Sequence, residues 1–94
     1  MSLANYTDRV QGGFGRALRQ MRQELGLTQE QLGLRAGVDR VYISELERGL
    51  KCPTLNTVSK IAYVLDALPS QLIRRTEALL DLSSRGLCWD DDPP

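Results

Sequence analysis

The stretch Thr28-Gln29-Glu30-Gln31-Leu32-Gly33-Leu34-Arg35-Ala36-Gly37-Val38-Asp39-Arg40-Val41-Tyr42-Ile43-Ser44-Glu45-Leu46 decides how this chain folds. It opens on a capping box: Thr28 can accept from the backbone N–H three residues on, while Gln31 reaches back to the N–H of Thr28. Leu27, just before the cap, is placed to staple against Leu32. The spacing predicts a short helix over 29–36, with Ala36 its last core-facing position. Gly37 ends it, because glycine enters the left-handed region without a Cβ penalty. Val38-Asp39 then restarts the same logic, with Asp39 as N-cap and Val38 stapling against Ile43. A second short helix is predicted over 40–48, with Ile43 and Leu46 inward and Gly49 as its stop.

Working outward, Phe14, Ala17, Leu18, Met21 and Leu25 fall on one helical face, and Gly26 follows as a left-handed stop. Residues 1–12 carry no sustained apolar period and run into Gly12-Gly13, which predicts a flexible arm and a hinge at Gly12-Gly13-Phe14-Gly15. Downstream, Thr54 caps a fourth helix whose face is Leu55, Val58, Ile61, Ala62 and Leu65. Pro69 suits the first turn of a fifth, where its missing N–H is harmless. Leu72 and Ile73 start the apolar side of that helix, and Leu79, Leu80 and Leu82 extend it beyond what a five-helix core needs. No alternating strand pattern and no internal repeat is visible. The expectation is all-α: a bundle over 13–82, an N-terminal arm over 1–12 and an acidic tail over 83–94.

Ninety-four residues allow one core. With 41% hydrophobic and 26% charged residues, the chain is too apolar for wholesale disorder. The absence of histidine removes any imidazole-activated nucleophile, and Cys52 and Cys88 alone make no metal site. Gly12-Gly13-Phe14-Gly15 has neither the preceding strand nor the following Lys-Ser/Thr of a phosphate-binding loop. No enzymatic activity and no cofactor are expected. No run of eighteen apolar residues and no leader-like start is present, so a cytoplasmic chain with free thiols and no membrane contact is expected. Charge is balanced at 12 basic and 12 acidic residues but unevenly spread: residues 81–94 carry a net −3, and residues 1–80 therefore +3. The pI near 6.2 is low for a nucleic-acid binder, yet a basic surface can coexist with an acidic tail.

Two short helices joined by Ala36-Gly37-Val38 form the minimal helix-turn-helix. Residues 14–73 resemble the Cro/phage-repressor (XRE) family of helix-turn-helix DNA-binding domains. The resemblance rests on Arg19-Gln20-Met21-Arg22, Gly26-Leu27-Thr28-Gln29-Glu30-Gln31-Leu32, Ala36-Gly37-Val38, Tyr42-Ile43-Ser44-Glu45-Leu46-Glu47-Arg48-Gly49 and Pro53-Thr54-Leu55. It implies a lambda-repressor-like five-helix bundle that binds double-stranded DNA with the third helix in the major groove. On that helix Arg40, Val41, Ser44 and Glu45 are the implied base-reading residues: Arg40 toward guanine, Val41 toward a thymine methyl, Glu45 toward cytosine N4. Thr28, Gln29, Tyr42, Arg48 and Lys51 are implied backbone contacts, which fix register without reading sequence. Arg22 and Glu47 stand where the family pairs an arginine with a glutamate to hold the recognition helix at its angle.

Three positions depart from the family. Asp39 replaces the more usual serine or threonine cap, and Leu50 and Cys52 replace polar or basic loop residues, leaving Lys51 alone there. The resemblance implies a homodimeric transcriptional regulator, a repressor of inverted-repeat operators, with Leu72, Leu79, Leu80 and Leu82 (and Leu68 beside them) as dimer material. The alternative is a protein-interaction module of the antitoxin kind, whose tail residues Leu87, Cys88 and Trp89 dock a protein partner; for that segment, a C-terminus anchored by Trp89 packing back onto the helices is slightly preferred.

Overall fold

The computed structural model describes residues 2–80, folded into α1 (Leu3–Glu24), α2 (Gln29–Ala36), α3 (Arg40–Glu47), α4 (Leu55–Val64) and α5 (Pro69–Leu80). Each of the first four starts on a side-chain cap: Ser2 accepts from Asn5 N–H, Thr28 from Gln31, Asp39 from Val41 and Thr54 from Thr57, at 3.0–3.2 Å. Such caps are worth about 1 kcal/mol apiece. The capping box at Thr28 is complete, since Gln31 Oε1 also accepts from Thr28 N–H at 2.9 Å.

The same four helices close alike. Gly26, Gly37, Gly49 and Asp66 take positive φ, and the N–H of the following residue returns to a carbonyl five positions back, as from Val38 to Gly33 at 2.9 Å and from Leu50 to Glu45 at 2.9 Å. These are Schellman closures. At Gly37 the device makes the sharp turn that crosses α2 and α3 at close range.

The core is what this crossing buries. Leu18, Leu32, Ile43, Leu46, Ile61 and Leu72 are fully buried and drawn from all five helices, each contributing roughly 1.5–3 kcal/mol of apolar transfer. α1 packs most extensively on α5, and α2 on α3. Arg75 of α5 also forks over Glu24 of α1 at 2.8 and 3.1 Å, and that hydrogen bonding holds the Glu24 carboxyl below the usual carboxylate range. No helix among the described residues is long and apolar enough to cross a membrane.

The structure corrects four readings. Residues 3–12 are the first half of α1 rather than a flexible arm. The Ser2 cap starts that helix, and Gln11 Nε2 ties it to the Gly49 carbonyl at 2.9 Å. Gly12-Gly13-Phe14-Gly15 is not a hinge but helix interior: a Cβ at Gly13 would press on Leu80, and one at Gly15 would meet the carbonyl oxygens of Leu46 and Glu47. Gly13 and Gly15 are there for space. Leu72 and Leu80, expected as dimer material, are 0% and 4% exposed and complete the monomer core, while Leu79 is half-buried against it. Leu55 and Ile73, expected inward, are exposed, because α4 and α5 bury narrower stripes than their apolar spacing suggests, and Leu25, also expected inward, is exposed at the C-cap of α1, where the helix ends. Leu82 and the tail residues Leu87, Cys88 and Trp89 lie outside the described residues.

Candidate nucleic-acid interface

α3 has two unlike sides. Ile43, Leu46 and Glu47 are buried, whereas Arg40 is exposed, Val41 is 51% exposed, and Ser44 and Glu45 are half-buried. Arg40, Val41, Ser44 and Glu45 recur at helical spacing, so the four expected readers form one ridge, and none of them is buried. Arg40 carries a planar fork of donors, suited to two parallel acceptors such as guanine O6 and N7. Asp39, at the foot of the ridge, spends one carboxylate oxygen on Val41 N–H.

The ridge is held by a buried polar network. Arg22 Nε and Nη2 donate to the two carboxylate oxygens of Glu47 at 2.6 and 3.0 Å, and Arg22 Nη1 donates to the Leu27 carbonyl at 2.7 Å. The Arg22 and Glu47 side chains are 10% and 3% exposed. Burying either charge without a partner would be costly, and here each is fully hydrogen-bonded. Gln29 Nε2 also donates to Glu47 Oε1, at 3.0 Å. One carboxylate thus joins α1, the start of α2 and the end of α3, where the sequence suggested only the Arg22–Glu47 pair. Engaging one of the two Gln29 amide hydrogens fixes the side chain and leaves the other to donate.

At the start of α2, Thr28 satisfies the N–H of Gln31 through Oγ1 and that of Leu32 through its carbonyl. The N–H groups of Gln29 and Glu30 have no acceptor among the described residues. A helix start in this state favours an anion, though Glu30 sets an acidic side chain in the same turn. Arg48 and Lys51 are exposed beyond the far end of α3. Tyr42 is half-buried and packs its ring against the core, so only its outer edge is available. Cys52 is an exposed free thiol, and Cys88 lies outside the described residues.

Sequence reasoning missed Arg9 and Gln11, which lie on the part of α1 expected to be an arm, and gave Arg16, beyond that arm, no role. The one available signal was Gly12, Gly13 and Gly15 within three helical positions, a pattern that permits close helix contact as readily as it permits bending.

Residues 18–72 match a family model described as helix-turn-helix. The chain is 36% identical over 63 residues to an uncharacterized HTH-type transcriptional regulator of Sinorhizobium fredii, covering 67% of this chain and 82% of that one. It is 31% identical over 83 residues to the control protein C.BamHI of Bacillus amyloliquefaciens, covering 87% and 94%. Among solved structures, the restriction-modification controller protein C.AhdI of Aeromonas hydrophila superposes with a TM-score of 0.64 at 39% identity, covering 65% of this chain and 92% of that one.

Proposed function

This chain belongs to the Cro/phage-repressor helix-turn-helix family of DNA-binding transcriptional regulators, and we propose that it acts as a homodimeric repressor on inverted-repeat operators. Arg40, Val41, Ser44 and Glu45 read base edges in the major groove. Thr28, Gln29, Arg48 and Lys51, with the edge of Tyr42, bind the sugar–phosphate backbone. The observation that carries this reading is the unburied Arg40–Glu45 ridge, braced from behind by Glu47.

The need for two copies follows from scale. One short helix spans only a few base pairs, too few for discrimination against a genome of competing sites. Two copies related by a two-fold axis double the contacts and set the helices about 34 Å apart, one turn of DNA. Since Leu72 and Leu80 are core residues, the dimer contact moves to α4 and the turn after it. There Tyr63 and Leu68, 85% and 63% exposed, border an open groove of about 620 Å³ with Arg35, Ala67 and Gln71. Two exposed apolar groups flanked by an arginine and a glutamine suit a self-complementary contact. The similarity to C.BamHI and C.AhdI favours the control of restriction-modification genes as the setting.

Selection from random duplexes, followed by titration of the winning palindrome and of its single half-site, tests the reading. With half-site centres about 10 bp apart, the palindrome is expected to bind about 30-fold tighter or more, since a lone half-site forfeits at least two base contacts of about 1–3 kcal/mol each. Equal affinity for the two duplexes would refute the dimer.

A further inference from the structure

Arg9 and Arg16 of α1 and Arg48 at the end of α3 line one groove of about 360 Å³ together with Gly12, Gly13 and Glu47. On α1 the four lining positions recur at i, i+3, i+4 and i+7, a single face. The two glycines put no side chain of α1 between the arginines, and Leu80 of α5 packs over Gly13 as the apolar wall of the groove. All three arginines are exposed, and none has a carboxylate within 4.0 Å among the described residues, where the ion pairs are Arg22–Glu47 and Arg75–Glu24. Glu47 does not neutralise the groove, because Arg22 and Gln29 already engage both of its oxygens. Asp8 is the acidic neighbour on α1, and it lies off the groove face. Three like charges gathered on one concavity repel one another unless an anion sits between them.

The groove's place in the fold selects the anion. Arg48 continues α3 past its base-reading half, and the bond from Gln11 to the Gly49 carbonyl fixes α1 to that end. Glu47 is a shared wall, holding Gln29 at the start of α2 on one side and bordering the arginine groove on the other. We propose that this groove seats one backbone phosphate of the bound duplex, so that the N-terminal half of α1 is a DNA-positioning element. The inference rests on the DNA-binding reading above and adds Arg9 and Arg16 to it. Guanidinium forks match phosphate oxygens in geometry as well as charge.

The test uses the full chain and its Arg9→Gln/Arg16→Gln variant, with Lys60→Gln/Arg74→Gln as a charge-matched control at exposed positions away from the groove. Binding to a selected 30-bp duplex and to a scrambled one is measured across a salt series. The variant is expected to lose about tenfold on both duplexes, and its slope of log K against log salt to be shallower by about 0.9 per monomer, the value of one phosphate contact. The ratio between the two duplexes is expected to stay unchanged, and the control pair to bind as the parent does. A variant indistinguishable from the control overturns the proposal. So does tighter binding, the sign that acidic residues of the chain itself fill the groove. Failure of the unmodified chain to bind either duplex would instead remove the DNA-binding reading, and the proposal with it.

Discussion

Replacing Glu47 by alanine is expected to lower the stability of the fold by about 3–5 kcal/mol, because it leaves the Arg22 guanidinium buried without its counter-charge. For a small domain this is a large part of the whole, and urea denaturation would show the midpoint collapsing. Arg22→Ala is expected to do the same, and it also strips the Leu27 carbonyl of its donor at the α1–α2 turn. The double replacement Arg22→Met/Glu47→Leu separates stability from function. With no charge left unpaired, much of the stability should return. DNA affinity should not, since Gln29 loses the carboxylate that orients it. A single replacement costing less than about 1 kcal/mol would mean that the pair behaves as an exposed one.

The second large effect is expected from one methyl group placed in three neighbouring positions of α1. At Gly15 an added Cβ meets backbone carbonyls of α3, with the Glu47 oxygen 2.6 Å away. Neither backbone can yield cheaply, so Gly15→Ala is expected to cost about 2–3 kcal/mol, the upper range for overpacking, and to tilt α3. At Gly13 the obstacles are Leu80 Cδ2 and Cγ at 2.8 and 2.9 Å, side-chain rather than backbone atoms; there the cost is expected to be smaller, about 1 kcal/mol, at the low end for overpacking, and partly offset by alanine's better helix propensity. At Gly12 a Cβ meets nothing within 4 Å, and Gly12→Ala is expected to stabilise by about 0.5–1 kcal/mol. Thermal unfolding of the three variants checks the order. A destabilised Gly12→Ala would restore the hinge that the glycines suggest in sequence.

That glycine run marks where the sequence stops being legible. The capping box at Thr28, the turn at Gly37 and the Arg22–Glu47 pair are written in short-range spacing or in a strong motif, and all three stand in the structure. The N-terminal half of α1 is written only in long-range contacts: Gln11 with Gly49 and Gly13 with Leu80. Neither partner is visible from a local window. Leu72 and Leu80 show a related limit. Periodicity says that a leucine has an inner face, not whether that face meets its own chain or a second copy. Tyr63 gave the opposite problem: nothing in its spacing marks it as an apolar group left uncovered, whereas Leu68 already stood among the expected dimer residues. The outward side of α3 was legible, because the fully buried Ile43 and Leu46 fix which side of that helix faces out.

That ridge is tested most directly by comparing Arg40→Ala with Lys51→Ala on a selected operator and on versions altered at single base pairs. Arg40→Ala is expected to flatten the preference at one base pair in each half-site, a loss of about 1–3 kcal/mol of discrimination, with other positions untouched. Lys51→Ala is expected to weaken binding to every duplex alike. If the two substitutions produce the same pattern, or Arg40→Ala leaves every preference in place, the exposed face of α3 is not the surface that reads DNA.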